Sequence, residues 1–195
     1  MKHPKRSLPF FLGICLIACS LFLMLFSQLR IHMGSRNCAA VVSRLNEILP
    51  DRTQGIPGLY STASMPILEI DGTDYAAILE IPSFGVKVPV ADEWNSSKLT
   101  SSPARFFGST YDHTLIIGGE DNPNQFAFCD QIELDALVRV TDMTGAQFSY
   151  SVSRVDRAKH ADSQWLVNEN YDLTLFCRDG YSMEYIAVRC VWAYS

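Results

Sequence analysis

Hydrophobic and polar positions fall into three regimes along this chain. From Ser7 to Leu29 no residue is charged and most are apolar. Cys38, Val41, Val42, Leu45, Ile48 and Leu49 then recur at helical spacing up to Pro50, which predicts a short amphipathic helix. Residues 51–64, rich in Pro, Gly, Ser and Thr, read as a linker. From Met65 onward the pattern changes to short apolar or alternating runs, at 75–81, 86–90, 114–117, 136–140, 147–152, 172–177 and 185–191. Strands of this length, parted by turn residues such as Gly145 and Gly180, predict a mainly β domain, an antiparallel barrel or sandwich.

The uncharged run is long enough to cross a bilayer, for which about 20 residues are needed. Lys2, Lys5 and Arg6 before it favour a cytoplasmic N-terminus and an exported remainder, and Arg30 and Arg36 weaken that preference without reversing it. A cleaved signal peptide has an apolar core of about 7–15 residues, which this run exceeds. Leu16, Ile17, Ala18 and Cys19 resemble a lipoprotein cleavage box, but the apolar run continues through Phe26 where a mature lipoprotein turns polar. The expected organisation is a cytoplasmic leader (1–6), a single-pass anchor (7–29), a juxtamembrane helix and linker (30–64), and an extracellular domain (65–195).

Charge narrows the partners. Three of the 16 basic residues lie in the leader while all 21 acidic residues lie beyond the anchor, so the exported part carries a formal charge of −8. That balance disfavours nucleic acid, which demands a basic face, and makes the anchor, residues 7–29, the expected contact with lipid. Cys38, Cys129, Cys177 and Cys190 show no metal-ligand spacing, so no metal or other cofactor is expected. An exported domain can oxidise such a pair, yet buried free thiols are the simpler reading.

Several segments together resemble a family. Residues 78–90 (ILEIPSFGVKVPV) resemble the opening of the sortases, "L-x-I-P-S-[IL]-G-[VL]-x-[LV]-P-V". Residues 102–109 (SPARFFGS) resemble the "A-P-C-R-Y-S-G-S" segment of clostridial-type, class B/D-like members, and 126–142 with Gly145 and Tyr150 resemble the stretch after the catalytic histidine. Sortases are cysteine transpeptidases that attach surface proteins to Gram-positive cell walls. The resemblance implies a sortase-like closed β-barrel with short helices.

It also implies three catalytic groups: a Cys thiolate that attacks a carbonyl of a sorting signal, a His acid and base, and an Arg that steadies the oxyanion. All three positions depart from the pattern here. Against the nucleophile strand TLxTC, Thr174, Leu175 and Phe176 match, Cys177 replaces the second Thr, and Arg178 stands at the nucleophile site. Against "V-I-A-G-H-N", Gly119 takes the histidine's place and Glu120 follows. Tyr185 stands where the arginine belongs, and Arg189 matches an accompanying arginine. Cys177 is three residues beyond Thr174, an odd spacing that turns it to the opposite face of a regular strand.

Substitutes for the missing base are few. His3 belongs to the leader and His32 is juxtamembrane; His113 begins the strand whose far end should carry the base, while His160 precedes the nucleophile strand. The expectation is a membrane-anchored pseudo-sortase that binds a sorting-signal or cell-wall peptide, or another envelope protein. The alternative is a divergent active sortase using Cys177 with Glu120 or His160 as base.

Overall fold

The computed structural model describes residues 8–50, 53–55, 64–95, 99, 101–167 and 170–193. The leader and most of residues 51–63 therefore lie outside the described residues, as does His3.

Helix α1 (Leu8–Ile48) runs unbroken for 41 residues. The anchor and the amphipathic helix expected separately are thus one rod, because between them only Gly34 is a poor helix former. Its segment Phe10–Leu29 has mean hydropathy 2.5, is not buried in the protein, and is long and apolar enough to cross a membrane. The C-terminal part instead buries Cys38, Val42 and Leu45 against the domain.

The domain is a closed barrel. Its strands are β1 (Thr53–Gln54), β2 (Leu68–Ile70), β3 (Thr73–Ile81), β4 (Val86–Ala91), β5 (Ala104–Phe107), β6 (Leu115–Gly118), β7 (Leu137–Asp142), β8 (Ala146–Ala158), β9 (Leu173–Arg178) and β10 (Tyr185–Trp192). Eight of them close a ring in the order β3, β4, β5, β6, β9, β10, β8, β7 and back to β3, while β1 and β2 flank β8 and β3. Closure removes the edges at which bare strands would pair with other chains. The flanking β1 is parallel to β8. Within the ring most neighbours are antiparallel, but β4 with β5 and β6 with β9 are parallel. Parallel neighbours need long crossovers. One is the segment 92–103, and the other carries the short helix α2 (Ser163–Leu166), capped by the Asp162 carboxylate accepting from the Trp165 N–H at 2.7 Å.

Strand alternation sorts the side chains. Leu79, Ile81, Val88, Val90, Leu115, Ile117, Val138, Val140, Phe148, Val152, Leu173, Leu175 and Val188 fill the interior. The buried carboxylate of Asp142 ends β7: it accepts from the Thr144 and Ala146 N–H groups and from the Tyr111 hydroxyl at 2.6 Å. Both its oxygens are thus matched by donors, as a low-dielectric interior requires.

Candidate active site

The sequence positions of interest meet at one end of the barrel. Arg178 and Tyr185 are direct cross-strand partners at the ends of β9 and β10. The Arg178 guanidinium lies 5.8 Å from the Tyr185 ring centroid, and its Nε donates to the Met183 carbonyl at 3.3 Å. Gly119 follows the last residue of β6 and donates its N–H to the Phe176 carbonyl at 3.0 Å. The Gly180 N–H donates to Asp121 Oδ2 at 3.0 Å, tying the loop after β6 to the β9–β10 turn.

Side-chain direction separates the cysteine from this group. Cys177 is buried among Leu173, Leu175, Cys129, Ile186 and Cys190 in the barrel interior. Its thiol points at the Phe126 carbonyl, 3.9 Å away, which also accepts the Cys129 N–H at 3.0 Å. Burial, then a hydrogen bond with Cys177, pushes the Cys129 thiol well above the usual range. Burial does the same to Cys190. Thr174, Phe176 and Arg178 project to the outer face instead, with Ile116 and Ala187 beside Phe176.

Glycines mark the spots where that outer face is closely covered. A Cβ on Gly118 would stand 2.1 Å from a ring carbon of Trp94 and 2.7 Å from the Phe176 ring. Trp94 stacks on Phe176 at 5.3 Å and meets Phe106 edge-on at 5.3 Å. The three rings therefore fill the hollow above β6 and β9, and an open cleft of about 500 Å³ lined by Trp94, Arg105 and Phe106 adjoins them. A Cβ on Gly119 would meet the buried Phe126 ring at 2.9 Å. Gly118, not Gly119, thus shares the outer face with Phe176.

The other candidates are dispersed. Glu120 is half-buried beyond the end of β6, where its N–H donates to Gln125 Oε1 at 2.9 Å and its carbonyl receives the Asn122 and Phe126 N–H groups. His160 is exposed in the crossover before α2. His113, at the opposite end of β6, has Nδ1 2.8 Å from Asp172 Oδ1. Among the described residues no cluster of His, Cys, Asp and Glu has the makings of a metal site.

Further down the same face Arg189 is almost wholly buried. It donates to the Leu166 carbonyl at 2.8 Å, to Thr174 Oγ1 at 3.1 Å, to Asp156 Oδ2 at 3.3 Å and to the Trp165 carbonyl, and it lies 5.0 Å from the Trp165 ring. Burial lowers its pKa, partly offset by Asp156. This arginine fastens α2 across the outer face. From sequence alone Arg189 is no more than an accompaniment to the missing arginine, and Trp94, Phe106 and Gly118 go unmarked. The signals for them are a double glycine after an apolar strand and a lone Trp in a polar loop.

Comparison with solved structures settles what this barrel is. The chain superposes on the sortase D5 transpeptidase of Clostridium perfringens with a TM-score of 0.54 at 18% identity, covering 62% of this chain and 80% of that one. It matches sortase C1 of Streptococcus agalactiae with a TM-score of 0.54 at 19% identity, covering 70% and 74%. Against sortase C-1 of Actinomyces oris the TM-score is 0.53 at 17% identity, covering 83% and 99%. The fold is that of the sortases. No protein-family model and no curated protein matches the chain.

Proposed function

We propose that this is a sortase-family protein of the cell envelope, class B/D-like with degenerate motifs, and that it no longer performs transpeptidation. It is held by residues 7–29 as a single-pass anchor, with the N-terminus cytoplasmic and the barrel outside the membrane. Its outer face binds a sorting-signal or cell-wall peptide, in preference to another envelope protein, through the cleft beside Trp94.

One observation carries the reading: the lone thiol of the nucleophile strand, Cys177, lies inside the barrel while Arg178 takes the outward position. Attack requires the sulfur to meet the substrate carbonyl, and Cys177 is enclosed in the barrel core at 2% exposure. A peptide carbonyl on the outer face lies across the sheet from this sulfur. Gly119 has no proton to exchange, and the Tyr185 hydroxyl donates a hydrogen bond without the charge of a guanidinium. The aromatic floor made by Phe106, Phe176 and Trp94 suits an apolar peptide side chain, with Asp92 and Arg105 paired at its edge.

The test is a sorting-signal peptide mimic carrying a thiol-reactive group. The domain should form no adduct at Cys177, while the unreactive peptide should perturb Trp94 fluorescence. Turnover by the unmodified domain that Cys177→Ala abolishes would instead establish the divergent active sortase, with Glu120 or His160 left to supply the base.

A further inference from the structure

Helix α1 reaches the barrel from one definite end. Cys38 donates to the Ser101 carbonyl at 2.9 Å and shares a cleft with Phe84, Val86 and Asn124. Two turns later Leu45 packs with Ile70, Tyr75 and Ile78, and Leu49 joins Leu68 and Met143 in the same cluster. The first contacts lie on the β3–β4 turn, the β4–β5 crossover and the loop after β6. The later ones lie on β2, the first half of β3 and the β7–β8 turn. Strand directions fix the rest: β6 and β9 both point toward the end where α1 enters. That entry end carries Gly119, Arg178 and Tyr185.

Little chain separates this end from the apolar segment. From Leu29 to Cys38 the helix is continuous, and nine residues at about 1.5 Å each advance roughly 13 Å. The headgroup layer occupies about 5–7 Å of that distance on each side of a bilayer. Around the rim, Phe84, Leu134 and Met183 are exposed and Tyr181 is fully so, on three separate turns. Asp121, Asp130 and Asp179 on the same rim oppose an anionic surface, so the contact rests on the tether and the apolar tips rather than on charge.

Building on the anchor in the function proposed above, we infer that the barrel stands with this rim against the outer headgroup layer of the bilayer. The end bearing Arg178 and Tyr185 then faces the membrane. Whatever binds there approaches along the membrane surface. The opposite end, with the β2–β3 hairpin, points away.

The experiment uses the full chain with Cys15→Ala and Cys19→Ala, reconstituted in phosphatidylcholine vesicles that contain headgroup nitroxide lipid. A thiol-reactive fluorophore is attached at Tyr181→Cys, at Leu134→Cys, or at Glu69→Cys on the far hairpin. All three sites are exposed, so a folding loss at one leaves the others to decide. The labels at 181 and 134 should be quenched several-fold more than the label at 69. Equal quenching, or stronger quenching at 69, overturns the orientation while leaving the anchor intact. Failure of the protein to float with the vesicles overturns the anchor and the orientation together.

Discussion

Two outer surfaces of the barrel are covered, and they are covered by different means. Over β3 and β4 the cover is the C-terminal part of α1, whose Leu45 meets Ile70, Tyr75 and Ile78 in an apolar contact. Over β6, β9 and β10 the cover is assembled from α2, fastened by the buried Arg189, and from Trp94 laid on Phe176. The first is a helix stripe against a sheet, a general solution for outward-facing apolar residues. The second encloses an arginine and three aromatic rings over the strands whose ends carry Gly119, Arg178 and Tyr185. The difference teaches that this outer face, unlike the α1 face, is held in place by polar and aromatic contacts that a ligand can exchange.

The sharpest way to break the second cover is to remove Arg189. Its loss leaves Asp156 to Arg154 alone and frees the carbonyls of Trp165 and Leu166 and the hydroxyl of Thr174. Arg189→Leu should destabilise the domain by about 2–4 kcal/mol, because buried acceptors that lose their donor cost about 1–3 kcal/mol each. Denaturant unfolding measures it. A change below about 1 kcal/mol would mean that α2 is held by its apolar contacts alone.

The α1 cover should respond to pH. Burial raises the Cys38 thiol from 9.0 to about 11, and the folded state therefore favours its protonated form. The stabilisation is complete below about pH 9 and is lost as pH rises toward 11. A tenfold change in proton affinity between the folded and unfolded chain is worth about 1.4 kcal/mol, so the loss is about 2–3 kcal/mol. Thermal melts at pH 7.5 and pH 10.5 should show it, and Cys38→Ala should flatten the difference.

Gly118 tests the aromatic part. Its missing Cβ is replaced by the Trp94 ring at 2.1 Å. Gly118→Ala should cost about 1–3 kcal/mol, as overpacking does. Adding Trp94→Leu should recover part of that cost, a coupling that a double-mutant cycle isolates. Full additivity would place Trp94 elsewhere in solution.

How much of this is legible in the chain depends on the range of the contact. The apolar and alternating runs mark β3, β4, β6, β7, β9 and β10 to within a residue or two, because these strands are buried, on both faces along most of β3, β6, β9 and β10. β5 escapes, since Ala104–Phe107 follows Pro103 and ends on an exposed Phe107, leaving no alternation to read. β8 runs on to Ala158 through the half-exposed 153–158, held there by pairing with β10 rather than by its own pattern. The three positions compared with the family pattern can be named from local motifs. The cover over them cannot, because Trp94, Phe106 and Phe176 are brought together by the barrel and not by spacing. The direction of Gly119 is equally hidden: β6 ends at Gly118, and the chain turns under Phe126 at the next residue.

The smallest effect distinguishes the two faces of β9 itself. Cys177 is interior and Arg178 is exterior, one residue apart. Cys177→Ala removes one small apolar atom from the core, a loss of about 1 kcal/mol on the scale of one buried methylene. The Cys177 thiol should alkylate slowly in the folded domain and rapidly once unfolded, since reaction requires opening of the barrel. In Arg178→Cys the new thiol takes an exposed position whose lost contacts, one hydrogen bond at 3.3 Å and a ring at 5.8 Å, are solvent-facing. Its stability cost should stay within about 0.5 kcal/mol, and its alkylation should run at the rate of a free thiol. Rapid native-state alkylation of Cys177 itself near neutral pH would show that β9 bulges to turn this thiol outward, and the inside-outside division of the strand would have to be abandoned.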